Sequence, residues 1–108
     1  MKPKQGYNKL TGKDLRFLRG LGHHLKPLVI IGREGISDNV IKAVNGVLAA
    51  HELVKVKIGR GCLMGRKEAA EEIAAGTGSE VVQVLGKTFL IYRENSDLKD
   101  DHRIKLPR

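Results

Sequence analysis

The chain is short of the residues on which several kinds of function depend. Its 108 residues include one cysteine, Cys62, which excludes an internal disulfide framework and suits a reducing compartment. Tryptophan is absent, and the aromatic residues are only Tyr7, Phe17, Phe89 and Tyr92. A sheet that stacks bases on exposed aromatic rings is therefore not expected, and Phe17 and Phe89 read as core. No apolar run approaches the length that spans a bilayer. The charged opening residues 1–9 lead into no apolar signal core. A cytoplasmic protein without membrane contact is expected.

Catalytic and metal chemistry are equally thin. Adjacent His23 and His24 diverge by about 100° on a helix and cannot easily share a metal. One cysteine with scattered histidines gives no zinc spacing. Cys62 lacks a local nucleophile–base signature. Glu68, Glu71 and Glu72 read as a solvated helix face. Gly86-Lys87-Thr88 matches the end of a phosphate-binding loop, but lies between two strands with no helix after it. The glycine-rich run from Gly59 to Gly65 lacks that ending altogether. The expectation is a non-enzyme with no cofactor, no metal and no small-molecule substrate.

What the chain does have is positive charge. Lys and Arg number 20 against 12 Asp and Glu, a net charge of +8. In so small a domain this favours a polyanionic partner, nucleic acid first. A hydrophobic fraction of 41% is enough for one folded domain.

The pattern of apolar residues sets the element order. Thr11 and Asp14 form a capping box for a first helix, with Leu15, Leu18, Leu21 and Leu25 as its stripe. Pro27 closes that segment. Leu28-Val29-Ile30-Ile31 then reads as a strand buried on both faces. Ser37 caps a second helix with Val40, Ile41, Val44, Val47 and Leu48 inward, ending near His51. From Leu53, Val54, Val56 and Ile58 alternate with Lys55 and Lys57, giving a strand with one apolar and one cationic face. A third helix is expected over residues 66–75, with Ala69, Ala70 and Ile73 inward and Gly76 and Gly78 as its stop. Strands over 81–85 and 88–92 form a hairpin about Gly86-Lys87. The result is an α/β fold, a mixed four-stranded sheet with helices, preceded by an N-terminal helix. Residues 1–10 form an arm, 11–93 the domain, and 94–108 a charged tail with only Leu98, Ile104 and Leu106 to bury.

If the first three strands run parallel, their C-terminal ends share one sheet edge, where ligands of open α/β sheets bind. Arg33, Arg60 and Lys87 converge there, joined by Arg66 and Lys67. The turn Gly32-Arg33-Glu34-Gly35 is the most pointed feature. A G-x-x-G turn entering a helix brings backbone amides and a partial positive charge to a phosphate chain. Glu34 opposes a phosphate unless it points away. Lys55 and Lys57 would extend the cationic surface along the sheet, or merely guard a sheet edge.

These residues together resemble a known family. The run from Leu25 to Gly32, with the turn closing at Gly35, is similar to the YhbY-like group of the CRM (chloroplast RNA splicing and ribosome maturation) domain family. So are His51 to Lys57, Val82 to Arg93, and the ending Ile104 to Arg108. The resemblance implies a two-layer fold like the C-terminal domain of translation initiation factor three, with strand order 1-2-4-3 and the last strand antiparallel. It implies RNA binding without catalysis and association with precursors of the large ribosomal subunit. It places the RNA contacts on Gly32, Arg33, Glu34 and Gly35, and on basic positions Lys26, Lys55, Lys57, Lys87 and Arg93. Arg60 joins them from the rim. The 59–65 loop, with Cys62 and Met64, fits the family pattern loosely. A monomer bound to ribosomal RNA of the large-subunit precursor is thus the leading expectation. The alternative is an adaptor docking on a ribosomal protein or assembly factor.

Overall fold

The first helix, α1, spans Gly12–Gly22 and begins on the reciprocal cap expected of Thr11 and Asp14. The Asp14 N–H donates to Thr11 Oγ1 and the Thr11 N–H donates to Asp14 Oδ2, each at 3.0 Å. Such a cap is worth about 1 kcal/mol. This computed structural model describes residues 10–107. Most of the expected arm, with Tyr7, lies outside the described residues, as does Arg108.

Next in the chain come β1 (Val29–Ile31), α2 (Asp38–His51), β2 (Leu53–Ile58), α3 (Arg66–Thr77), β3 (Glu80–Leu85) and β4 (Thr88–Tyr92). The sheet order is β1-β2-β4-β3. β1 and β2 pair in parallel, and β4 is antiparallel to both β2 and β3. The mixed sheet and its order therefore match what the resemblance implies.

Strand alternation sends successive side chains to opposite faces. Val29, Ile31, Val54, Val56, Ile58, Phe89 and Ile91 meet Val44 and Leu48 of α2 and Ala69, Ala70 and Ile73 of α3 in the main core. Leu53, Val82, Leu90 and Tyr92 point the other way, onto Leu18 of α1 and onto Ile104 and Leu106 of the C-terminal segment. Gly22 explains how α1 can lie so close: a Cβ there would overlap the Leu90 side chain.

Four expectations need correction. β1 is buried on one face only, because it is an edge strand that α1 does not cover; Ile30 stays 60% and Leu28 58% exposed. Phe17 is exposed, not core. Leu21 and Leu25 of the α1 stripe are exposed too. Of the stripe, Leu18 alone is fully buried against the sheet, with Leu15 partly buried beside it. Finally, α3 runs on through Gly76 to Thr77. A Cβ on Gly76 would stand 2.9 Å from Ile41 Cδ1, so this glycine serves helix–helix approach, and Gly78 alone, left-handed, ends the helix.

Candidate nucleic-acid interface

The topology brings three glycine-containing connections to one end of the sheet. β1, β2 and β3 finish there and β4 starts there, so the 32–35 turn, the 59–65 loop and the 86–87 turn are neighbours. Backbone bonds tie them together. The Gly59 N–H donates to the Ile31 carbonyl at 2.8 Å and the Ile58 N–H to the Lys87 carbonyl at 2.7 Å. Gly59 is required by this closeness, since a Cβ would sit 2.8 Å from Ile30 Cγ2 and 3.0 Å from the Ile31 oxygen.

The 32–35 turn closes with the Gly35 N–H donating to the Gly32 carbonyl at 3.1 Å, and Gly35 takes φ +72°, a region glycine enters freely. α2 follows, capped by Ser37, whose Oγ accepts from the Val40 N–H. Arg33 leans across to the next loop, its Nε 3.9 Å from where a Cβ on Gly61 would lie. Arg66, at the start of α3, donates from Nη1 to the Gly86 carbonyl at 2.8 Å and so pins the β3–β4 turn. Between these parts lies an open cleft of about 490 Å³, lined by Arg60, Cys62, Met64, Arg66, Gly86 and Lys87. Leu63 stands 94% exposed on the same loop.

Electrostatics distinguish this rim from the rest. The close acid–base contacts between described residues all involve the C-terminal segment: Arg103 with Glu52 and Glu94, Lys105 with Asp100, His102 with Asp101. Arg33, Arg60, Lys57 and Lys87 are exposed and have no acid within ion-pairing distance among the described residues. Glu34 is exposed in the same turn. A set of like charges left without counter-charges is a ready site for a polyanion.

Of the sequence-derived positions, Gly32, Arg33, Glu34, Gly35, Arg60 and Lys87 come together at the rim. Lys57 lies one step inside it, paired with Thr88 of β4. Lys55 is half-buried further down the same face. Lys26 sits in the α1–β1 connection, at the other end of β1. Arg93 is placed at the far end of the sheet, where Nη1 donates to Asn45 Oδ1 and to the Thr77 carbonyl, each at 2.7 Å, and Nη2 donates to the Asn45 carbonyl. Burial there lowers its pKa from the ordinary arginine value.

Sequence reasoning passed over Glu52. It is fully buried, adopts φ +65°, and caps α2. Its carboxylate accepts from the Asn95 N–H at 2.7 Å and the Ile104 N–H at 2.6 Å, and Arg103 Nε lies 3.6 Å away. For Arg103, partial burial acts to lower the pKa, but the Glu94 hydrogen bond and the Glu52 charge outweigh it and raise the value. A glutamate between a helix and a strand carries no signal in sequence that it will be buried.

Comparison with known proteins bears on this geometry. The family model of the CRS1 / YhbY (CRM) domain matches residues 10–93. The chain is 40% identical over 98 residues to the Bacillus subtilis protein named "Probable RNA-binding protein YqeI", covering 91% of this chain and 99% of that one. It is 41% identical over 93 residues to "Probable RNA-binding protein MJ0652" of Methanocaldococcus jannaschii, covering 84% and 69%. The solution structure of the hypothetical protein SAV1595 from Staphylococcus aureus is similar with a TM-score of 0.74 and 42% identity, over 91% of this chain and 99% of that chain.

Proposed function

Because the chain belongs to the CRS1 / YhbY (CRM) domain family, we propose that it binds RNA, holding the phosphate chain along the rim formed by Arg33, Arg60, Lys57 and Lys87. The observation that carries this reading is the set of exposed rim cations with no acid within ion-pairing distance among the described residues, gathered around three glycine-containing connections. Phosphates bind such surfaces through charge and backbone amides, independently of base identity. Relatives named as RNA-binding proteins support the same partner.

Function follows from where that RNA is. The resemblance to the YhbY-like group supports ribosomal RNA of the large-subunit precursor, with the protein assisting assembly as a monomer in the cytoplasm. In this reading it needs neither cofactor nor turnover. Among the described residues no nucleophile–base pair is formed at the rim, and RNA incubated with the protein is expected to stay intact.

Sucrose-gradient fractionation of cell extract, with and without nuclease, tests the reading. The protein should travel with large-subunit precursors and be freed by nuclease. Migration at the top of the gradient during active ribosome synthesis would contradict the assembly role. Cosedimentation that survives nuclease would favour the adaptor alternative.

A further inference from the structure

The sheet face turned away from α2 and α3 is covered over only part of its area. Under α1 and the C-terminal segment, Leu53, Leu90 and Tyr92 are buried. Towards the rim the cover stops. The strand registers place Leu85, Thr88, Lys57 and Ile30 side by side in one row across all four strands. At strand spacings of about 4.8 Å the row is about 14 Å long. Its two ends are aliphatic and open, Leu85 at 61% and Ile30 at 60% exposure, and Leu28 beside Lys55 repeats the pattern one row in.

A partner for this face must suit large aliphatic side chains and a central lysine together. Protein interface cores are depleted in lysine, so Lys57 in mid-row disfavours a protein. Duplex RNA would satisfy the lysine but keeps its base faces stacked inside. An unpaired strand offers both, with flat apolar base faces and a phosphate chain. We propose that the open half of the sheet takes the unpaired bases of a single-stranded RNA segment, over Ile30 and Leu85, while its phosphates run along Lys57 and the rim. This rests on the RNA-binding reading and names the class of RNA.

The double variant Ile30→Thr, Leu85→Thr tests it in the full chain. Threonine is itself β-branched and favoured in strands, and an unchanged thermal midpoint checks the fold. Affinity is measured for an oligouridine strand and for an RNA duplex of equal charge. We expect the variant to bind the strand about tenfold more weakly, the scale of losing a few buried methyl or methylene groups, with duplex affinity and salt dependence unchanged. The single variants should each show part of the loss. Equal affinity of variant and wild type for the strand overturns the proposal, as does an equal loss on both probes. A wild-type protein that binds neither probe overturns the RNA reading itself. A variant that binds RNA normally but no longer holds a nuclease-treated precursor particle assigns the face to a protein and also overturns the proposal.

Discussion

The two ends of the sheet use arginine in opposite ways. At the far end, Arg93 and Arg103 are half-buried and committed: Arg93 donates to Asn45 and Thr77, and Arg103 lies against Glu52 and Glu94. At the rim, Arg33 and Arg60 are exposed and form no ion pair with an acid among the described residues. Net charge therefore says little about function until the partners of each charge are known. Charge held by the fold contributes stability; charge left without a partner is available to a ligand. Substitutions at the two ends should therefore separate stability from binding.

The largest effect is expected at Glu52. Glu52→Ala leaves Arg103 without its buried partner and two backbone N–H groups without an acceptor, and should cost about 3–5 kcal/mol in chemical denaturation. The affinity of the remaining folded protein for RNA should not change. Glu52→Gly relaxes the φ of +65° and should cost less than alanine, since backbone strain of about 1–3 kcal/mol is relieved. Next comes Arg93→Ala, which removes three charged hydrogen bonds and should cost about 3 kcal/mol with RNA affinity intact.

Rim substitutions should do the reverse. Arg33→Glu and Arg60→Glu should each weaken RNA binding at least about tenfold, the scale of one lost hydrogen bond to a charged group. Their unfolding free energies should stay within about 0.5 kcal/mol of wild type. Gly59→Ala sits between the two behaviours, because its Cβ would press on Ile30 and on the Ile31 carbonyl. It should lose about 1–3 kcal/mol of stability and also disturb the rim.

The smallest effect concerns pH. The Lys105 hydrogen bond, at 2.7 Å, lowers the Asp100 pKa below the usual carboxylate value. Folding thus depresses this pKa, so the contact adds stability above the unfolded pKa and loses it as pH falls through the lower folded value. Asp100→Asn should flatten the acid limb of stability against pH only slightly, as the carboxylate is exposed.

Periodicity made most of the fold legible. Alternation in β2 identified its apolar and lysine faces, and the Thr11 and Ser37 caps placed two helix starts. Four large apolar residues in a row could not report that β1 lies at an edge; edge position follows from strand order, which only the family resemblance implied. The same limit hid the exposure of Leu21 and Leu25: a stripe on a helix says which face is apolar, not how much of it the sheet can cover. Convergence of Arg33, Arg60 and Lys87 was readable because parallel strands must end together. The far-end position of Arg93 followed β4, whose direction opposes the others. Glu52 was invisible because its partners, Asn95 and Ile104, lie 43 and 52 residues further on.

Phosphate binding at the rim is measured by the salt dependence of RNA affinity. With about five phosphate contacts to an unpaired strand, log K should fall against log salt with a slope near −3.5, and each rim cation removed should make it shallower by about 0.7. Replacing Arg93 should leave the slope where it is. A slope near zero, or one that Arg33 and Arg60 variants share unchanged with the wild type, would contradict phosphate binding at the rim.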